Sequence, residues 1–306
     1  MRKKMKKHAY VWFILPGLIF YTIFTIYPIF GAIPNSFYKW AGVGEKQWVG
    51  LDNYVTLFTH SQLAPQFFNA AGNSIQYLIL NIFVVNTISL LLAYAIFRKI
   101  PFSRAYQTII FSPHFLYPAA IAFMYTLFFD PTIGLYSKFM TMMGLENYST
   151  FPWLKDSGKG VLLLTIICNW KGIGYTMLLY IAGFTMVSRD YEEAARIDGA
   201  GKIQVFTRIY LPMIRHTFVN VIVLSYIWSI TLFDIPYAIA GREGGLNRGM
   251  DVLENFFYRT TFSATSGFSS NFIGMGSTIS VVLLLVISIG SGLLMLLLNR
   301  SSDKEG

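Results

Sequence analysis

The sequence predicts an all-α integral membrane protein with about six transmembrane helices. Two observations support this prediction. The 306 residues are 54% hydrophobic and only 13% charged, whereas soluble domains carry charge on about a quarter of their residues. The apolar residues are also collected in uncharged runs long enough to cross a bilayer, which takes about 20 residues in a helix. Lipid is therefore the predicted solvent for most of the chain.

Six segments meet this length requirement. Four contain no Asp, Glu, Lys or Arg, and the other two contain one such residue each. Helices are expected because backbone groups cannot be left unpaired in hydrocarbon. In chain order, the predicted spans are Tyr10–Ile33, Ser74–Phe97, Tyr106–Phe129, Val161–Val187, Thr217–Ala240 and Ser277–Leu298.

The distribution of basic residues predicts the orientation. The segments on the N-terminal side of the membrane carry 15 Lys and Arg residues, and those on the other side carry 8. Cytoplasmic loops hold the excess of basic residues, so both termini are predicted to be cytoplasmic. A basic start before an apolar run is also typical of a signal peptide, but this run is long enough to span and lacks a small-residue cleavage site. It is predicted to stay as the first helix.

The predicted organisation has three parts. Residues 1–73 hold the basic segment, the first span and the first outside loop. Residues 74–298 form the main transmembrane domain, which includes a distinctive cytoplasmic segment at 188–212. Residues 299–306 form a cytoplasmic tail.

Segment 188–212 lies between the fourth and fifth predicted spans and is predicted to form two short helices around a turn. Ser188 or Asp190 can cap the first helix, and the glycine at 199 is expected to end it. Small residues flanked by charges on a short exposed helix suit insertion into a cleft of another protein. A helix lying on the lipid surface is the alternative that these properties leave open.

This segment resembles the EAA signature of ABC importer permeases, which reads Glu-Ala-Ala, three residues, Gly, nine residues, Ile-x-Leu-Pro. The spacing here is the same, and the flanking Asp and Ala fit the commoner Asp-Gly-Ala form. In that family the segment forms a coupling helix that docks on a cytoplasmic ATPase. The resemblance therefore implies an ATPase-coupling role for Glu193, Ala194, Ala195, Asp198, Gly199, Ala200, Ile209, Leu211 and Pro212.

Three further matches resemble the first permease of maltose-type carbohydrate importers. Gly50-Leu51-Asp52-Asn53-Tyr54 is similar to its Gly-Leu-x-Asn-Tyr element, Asn73-Ser74 precedes the second span, and Phe233-Asp234 lies in the fifth. Residues 240–245 depart from the Thr-x-Gly-Gly-Pro pattern that is frequent in carbohydrate permeases. This departure concerns the substrate more than the fold.

The resemblance also implies an assembly in the bacterial plasma membrane. The chain is expected to form half of a translocation pathway, paired with a second permease subunit. Two ATPase subunits use ATP and Mg, and an external binding protein delivers the substrate. The family implies a sugar, with a di- or oligosaccharide favoured. Lipid surrounds the chain, and no nucleic-acid partner is expected.

Lys171 and Asp234 are the only charged residues within the predicted spans, and each lies 17 positions from the cytoplasmic end of its span. At about 1.5 Å per residue, both are about 25 Å from that end. Intramembrane charges usually face a pathway or pair with each other, and snorkelling into the headgroups is the alternative.

A substrate path is predicted around these two charges. Aromatic rings can stack on a sugar ring while neighbouring polar groups bind its hydroxyls. Core packing or lipid contact is the competing interpretation for each aromatic residue. The predicted path comprises Asn169, Trp170, Lys171, Tyr175, Trp228 and Asp234.

The sequence contains no Walker-type phosphate loop and no recognisable catalytic arrangement. Its single cysteine, Cys168, excludes a multi-cysteine metal site. No catalytic residue, metal or cofactor is therefore expected in this chain. A self-sufficient secondary transporter or channel would need several intramembrane acids or a filter motif, and only Asp234 is present. A membrane-embedded enzyme would need clustered catalytic side chains.

Overall fold

The computed structural model describes residues 9–149, 151, 153, 159–262 and 271–300. The predicted N-terminal basic segment and most of the predicted tail lie outside these residues. In the described part, Tyr38–Lys39 (β1) and Gln47–Trp48 (β2) form a two-stranded antiparallel hairpin in which Tyr38 pairs with Trp48. The remaining regular structure is helical.

The α-helices are Ala9–Tyr21 (α1), Tyr27–Asn35 (α2), Asp52–Thr59 (α3), Leu63–Leu80 (α4), Asn86–Phe97 (α5), Ser103–Phe111 (α6), Pro118–Phe128 (α7), Leu135–Met142 (α8), Glu146–Ser149 (α9), Gly160–Thr185 (α10), Arg189–Ile197 (α11), Lys202–Gln204 (α12), Leu211–Met213 (α13), Arg215–Ile230 (α14), Asp234–Ala240 (α15), Leu253–Phe262 (α16) and Phe272–Arg300 (α17). Three π-helical segments join consecutive α-helices, at Thr22–Ile26, Asn81–Val85 and Val205–Tyr210. Short 3₁₀ helices occupy Ser112–Phe115 and Leu246–Arg248.

Five helices of the described chain are long and apolar enough to cross a membrane, and a bent helix pair gives six if it is counted as one span. The prediction of an all-α membrane protein with about six transmembrane helices is confirmed. The spans are Trp12–Asn35 (span 1), Leu63–Phe97 (span 2), Ser103–Phe115 with Pro118–Phe128 (span 3), Gly160–Thr185 (span 4), Arg215–Ala240 (span 5) and Phe272–Leu298 (span 6).

Span 3 differs from the single helix that the sequence predicts over Tyr106–Phe129. Its two helices are bent by 97°. The backbone is extended at Tyr117, with ψ 138°, and α7 begins at Pro118. A residue before proline disfavours the helical conformation, and proline has no N–H to donate to the preceding turn. The chain therefore changes direction at this point.

The carbonyl oxygen at the start of the π-helical segment in span 2 accepts two hydrogen bonds from one residue. The backbone N–H of Asn86 donates to the carbonyl oxygen of Asn81 in the i→i+5 pattern of a π-helix. The side-chain Nδ2 of Asn86 donates to the same oxygen at 3.2 Å. The side chain thus adds a second hydrogen bond to the backbone bond that closes this turn.

The described residues divide between two compact units, those within 1–65 and 257–285 and those within 66–256 and 286–306. In the first unit, the buried Asn53 organises the segment that follows span 1. Its Nδ2 donates to the carbonyl oxygens of Ser36 at 2.8 Å and Tyr38 at 2.9 Å, and its Oδ1 accepts from Asn271 at 2.8 Å. The Asn of the Gly-Leu-x-Asn-Tyr element is therefore a structural residue that fastens the hairpin.

In the second unit, the Asn73-Ser74 pair holds the loop that follows α15. Nδ2 of Asn73 donates to the carbonyl oxygens of Arg248 at 3.1 Å and Asp251 at 2.8 Å. Oγ of Ser74 accepts from the backbone N–H of Leu253 at 3.1 Å. These contacts fasten the loop to α4.

Candidate translocation cavity and coupling segment

A cavity of about 460 Å³ opens among spans 2, 3, 4 and 5. Close helix packing positions it. A Cβ built on Gly174 would lie 2.5 Å from the carbonyl oxygen of Ile110, so only glycine lets the backbones of span 4 and α6 come this close. The cavity is lined by Tyr77, Asn81, Val85, His114, Pro118, Cys168, Asn169, Lys171, Gly172, Tyr175, Thr176, Ser225, Trp228, Thr231, Leu232, Phe233, Asp234 and Ile235.

Five of the six residues predicted for the substrate path line this cavity: Asn169, Lys171, Tyr175, Trp228 and Asp234. Trp170 does not. Its ring packs edge-on against Tyr125, with the ring centres 6.0 Å apart. The reason is helical phase, because consecutive residues of a helix point about 100° apart.

Lys171 and Asp234 line the same cavity but do not form a salt bridge. The ion pairs within 4.0 Å that the structure records join other residues of the described chain. Asp234 is the first residue of α15, and the chain leaves helical geometry just before it, at Phe233. A carboxylate in the first turn of a helix is favoured by the helix dipole. Each charge therefore remains available to the cavity.

One wall of the cavity is aromatic. The ring of Tyr175 stacks on His114, with 5.2 Å between ring centres, and meets the edge of Trp228 at 5.3 Å. His114 in turn stacks on Phe111 at 5.3 Å. These rings hold one another in place, and the side chain of Trp228 is still 44% exposed.

A polar layer joins spans 2, 4 and 5 beside the aromatic wall. Nδ2 of Asn81 donates to Oδ1 of Asn169 at 2.6 Å, and Nδ2 of Asn86 donates to Oγ of Ser225 at 3.1 Å. Nδ2 of Asn169 is buried without a hydrogen-bond partner, although the residue is only 7% exposed. Most buried polar groups are paired, so this donor is suited to a group that enters the cavity.

The sequence prediction of the path omitted Asn81, Ser225 and Tyr77. Asn81 and Ser225 carry a detectable signal, since both are polar residues in the middle of an apolar span, but interhelical hydrogen bonding explains such residues equally well. Both explanations apply here, because each side chain bonds a neighbouring helix and also lines the cavity.

The coupling segment, defined as residues 188–212, begins with the predicted short helix α11. Oγ of Ser188 accepts from the backbone N–H of Asp190 at 3.3 Å and so caps the helix. At the other end, the N–H of Ala200 bonds the carbonyl of Ala195 at 2.9 Å, and the N–H of Gly199 bonds that of Arg196 at 3.1 Å. This pair of bonds is a Schellman motif, which places Gly199 at the position that needs positive φ. Its φ is +84°.

The EAA residues lie around the turn that follows α11. A concavity of about 320 Å³ is lined by Ala195, Asp198, Gly199, Ala200, Gln204, Arg208 and Ile209. Glu193 and Ala194 are exposed on α11, and Pro212 is exposed on α13. Ile197 and Ile203, on either side of the turn, are 86% and 79% exposed. The segment thus presents a hollow flanked by two exposed isoleucines.

Glu192, the residue before the EAA triplet, is turned inward. Nη1 of Arg98 donates to both of its carboxylate oxygens at 2.5 Å, and the hydroxyl of Tyr210 donates to Oε2 at 2.6 Å. Nη2 of Arg196 lies 2.7 Å from Oε1. The hydrogen bond from Arg98, with that from Tyr210 and the charges of both arginines, lowers the pKa of Glu192 to about 2.

The same contacts act on the partners of Glu192. Burial, together with the hydrogen bond to the carboxylate, raises the pKa of Tyr210 to about 12. These contacts of Glu192 cannot be read from the sequence. Its main partners lie 94 and 18 residues away in the chain, so no local pattern reveals them.

No group of three or more His, Cys, Asp or Glu side chains that is suited to a metal ion occurs among the described residues. The residues that line the cavity offer stacking surfaces, hydrogen-bonding groups and the two charges of Lys171 and Asp234.

Comparisons with known proteins agree with this geometry. The profile of the family described as "Binding-protein-dependent transport system inner membrane component" matches residues 85–304. The chain is 31% identical over 277 residues to the probable ABC transporter permease protein YurN of Bacillus subtilis (strain 168), covering 90% of each chain. It is 28% identical to the arabinooligosaccharides transport system permease protein AraP of the same organism, over 98% of this chain and 91% of that protein.

Solved structures show the same fold. One chain of a bacterial alginate ABC transporter, in complex with an alginate pentasaccharide-bound periplasmic protein, superposes with a TM-score of 0.77 at 21% identity. The match covers 99% of this chain and 97% of that one. With a family profile that spans more than half of its residues, the chain belongs to the family of inner membrane components of binding-protein-dependent transport systems.

Proposed function

We propose that this permease forms half of the translocation pathway of an ATP-driven importer for a di- or oligosaccharide. The observation that carries the proposal is the cavity. Its volume of about 460 Å³ falls within the range of sites that bind small molecules, about 300–1,000 Å³. Its lining combines a set of stacked rings with hydrogen-bonded amide groups.

This lining matches the chemistry of sugars. The C–H face of a sugar ring packs on an aromatic face, and its hydroxyls need donors and acceptors at fixed positions. Trp228 and Tyr175 supply the aromatic surface, and the unpartnered Nδ2 of Asn169 supplies a donor. Relatives named for arabinooligosaccharides and for starch degradation products support the same substrate class.

The coupling segment provides the connection to an ATPase in this proposal. The hollow around Gly199 receives part of an ATPase subunit, and Ile197 and Ile203 pack on either side of it. The chain has no phosphate-binding loop of its own, so ATP and Mg belong to that partner. The complete importer contains a second permease subunit, two ATPase subunits and an external binding protein, with both termini of this chain in the cytoplasm.

Copurification tests this assignment. The tagged chain, coexpressed with the ATPase, second permease and binding protein encoded beside it, is expected to retain the ATPase in detergent. The binding protein is then screened against a glycan panel, and the glycan that it retains is used for uptake in proteoliposomes. Uptake by this chain without any ATPase would instead support a self-sufficient transporter.

Thiol labelling tests the orientation. Cysteine at position 44 is expected to react with an impermeant reagent in intact cells, and cysteine at position 201 only after permeabilisation. The native Cys168 is 7% exposed and contributes little background. Position 158, a further outside site on the same prediction, lies outside the described residues. Labelling at 201 in intact cells would contradict the orientation.

A further inference from the structure

Glu192 connects three elements of the second unit through one carboxylate. The side chain of Glu192 is only 12% exposed, and that of its partner Arg98 is 30% exposed. Arg98 is the C-terminal cap of α5, the last helix of span 2. Tyr210 is the last residue of the π-helical segment that leads to span 5, and it is 1% exposed. The carboxylate therefore ties α11 to the cytoplasmic ends of two spans.

Aromatic packing reinforces this connection. The ring of Tyr94, one turn before Arg98, lies 4.5 Å from Phe206 and 5.7 Å from Tyr210, measured between ring centres. Phe97 lies 5.3 Å from Tyr210 and 5.5 Å from Phe184 at the end of span 4. A packed core of this kind transmits displacement because it is close to incompressible. The ionic contacts sit at the edge of a rigid aromatic cluster.

The two spans joined at Glu192 carry cavity residues near their middles. Asn81 precedes Arg98 by 17 residues, which is about 25 Å along a helix. Ser225 follows Tyr210 by 15 residues, about 22 Å. The π-helical segment Asn81–Val85 lies where span 2 borders the cavity. Such segments are frequent at functional sites and interrupt the regular ladder of the helix.

We infer that Glu192 is the positioning residue that transmits movement of the coupling helix to the cavity. Through Arg98 and Tyr210 it makes α11, α5 and the start of span 5 move as one body. Span 2 then yields at Asn81–Val85, which changes access to the cavity. This inference rests on the proposed docking of α11 on an ATPase, and it assigns the internal transmission step to a residue outside the EAA triplet.

The contrast with the other acids of α11 supports this assignment. Asp190 and Glu193 are exposed, and Asp190 accepts a hydrogen bond from the hydroxyl of Ser188, its neighbour in the chain. An inward-facing ion pair is weak evidence for stability, since apolar residues of similar volume often serve as well. A charged pair instead fixes the geometry of its contact, and a contact that transmits movement of α11 needs a fixed geometry.

The test uses the full importer in proteoliposomes and a reporter that does not depend on the sugar. Thr231→Cys, in a Cys168→Ser background, places a thiol at an exposed position of the cavity lining. Its rate of modification by an impermeant thiol reagent is measured with and without ATP and vanadate. The control is Asp190→Asn, which removes a carboxylate from the same helix without touching Arg98 or Tyr210.

Nucleotide is expected to change the modification rate in the reporter protein and in the Asp190→Asn control. In Glu192→Gln the ATPase should still copurify. The ratio of the modification rates with and without nucleotide should fall to about 1, the value for uncoupled sites. A Glu192→Gln protein that keeps the full nucleotide response would overturn the inference. Failure of the ATPase to copurify with the unmutated chain would instead overturn the proposed function.

A second variant decides the matter if Glu192→Gln does not assemble. Tyr210→Phe removes one hydrogen bond and leaves the Arg98 ion pair in place. A weakened nucleotide response with the ATPase retained would support transmission through this contact. An unchanged response would overturn it.

Discussion

The coupling segment and the cavity differ in how completely their polar groups are hydrogen-bonded. In the coupling segment, a serine caps α11, a Schellman motif closes it, and the carboxylate of Glu192 accepts hydrogen bonds from Arg98 and Tyr210 and forms an ion pair with Arg196. In the cavity, Nδ2 of Asn169 and Nδ1 of His114 are buried without partners. Unpaired buried groups cost free energy, and a ligand that pairs them recovers it. The coupling segment keeps a single geometry through paired polar groups, whereas the cavity lining retains buried polar atoms that no other described residue pairs.

The largest effect on uptake is expected from a substitution in the coupling segment. Gly199→Val should abolish uptake, because a β-branched residue at φ +84° is strained by about 1–3 kcal/mol and the Schellman turn would rearrange. Nothing lies within 4 Å of a Cβ built there, so the effect is on the backbone and not on packing. Uptake in proteoliposomes and copurification of the ATPase measure it.

The same turn offers a matched control. Gly201 has φ −74° and ψ 166°, an extended conformation that any residue adopts. Gly201→Val should therefore transport nearly normally, and Gly199→Asn should be intermediate because Asn tolerates positive φ. Equal losses at positions 199 and 201 would show that the turn geometry is not what matters.

The next largest effect is on the free energy of unfolding. It comes from the ionic contacts of Glu192 and depends on pH. The folded pKa of about 2 lies below the ordinary value of 4.5, so the carboxylate contributes stability above pH 4.5 and loses it as the pH falls towards 2. Glu192→Gln should lower the free energy of unfolding at pH 7 by about 1–3 kcal/mol, the range for hydrogen bonds to charged groups.

Thermal unfolding of the detergent-solubilised complex checks this expectation. The difference in Tm between the unmutated chain and Glu192→Gln should be constant from pH 7 to about pH 5 and shrink below that, in line with the linkage relation. Asp190→Asn should show a smaller difference. A gap between the unmutated chain and Glu192→Gln that widens on acidification would contradict the ion pair.

A pair of tryptophans sharpens the description of the cavity. Trp228 lines it and Trp170 does not, although both were predicted to lie on the path. Trp228→Ala should lower the uptake rate at saturating binding protein about tenfold, equivalent to about 1.4 kcal/mol, because the stacking surface is lost. Trp170→Ala should change it little. If the two substitutions lowered uptake equally, the assignment of the cavity lining would be wrong.

Much of the coupling segment was predictable because its information is local. The spacing from Glu193 to Pro212 is readable in one stretch of sequence, and so are the Ser188 cap and the break at Gly199. Glu192 escaped prediction because Arg98 is distant in the chain. A contact between distant residues leaves no periodic pattern that a single sequence can show.

The cavity was only partly predictable for the same reason. Polar and aromatic residues in apolar runs identified five of its members, but which face of span 4 turns inward depends on packing with other helices, so Trp170 was misplaced. The bend in span 3 had a local cause at Pro118, but its angle of 97° did not follow from proline alone. Composition and the length of the apolar runs are enough to predict the fold class. A site shared by four spans also depends on how each helix is rotated about its own axis.

The smallest effect concerns the two charges of the cavity. Lys171 and Asp234 share the cavity without an ion pair, so each is expected to act on the solute and not on the other. Lys171→Met and Asp234→Asn should each lower uptake moderately. Their coupling energy in a double-mutant cycle should stay below about 0.5 kcal/mol, the level at which independent sites are additive. Charges separated by water interact weakly, at about 1 kcal/mol even at 4 Å. A larger coupling energy would show that the two side chains meet during transport. The charges of the cavity would then pair with each other, as those around Glu192 do in the coupling segment.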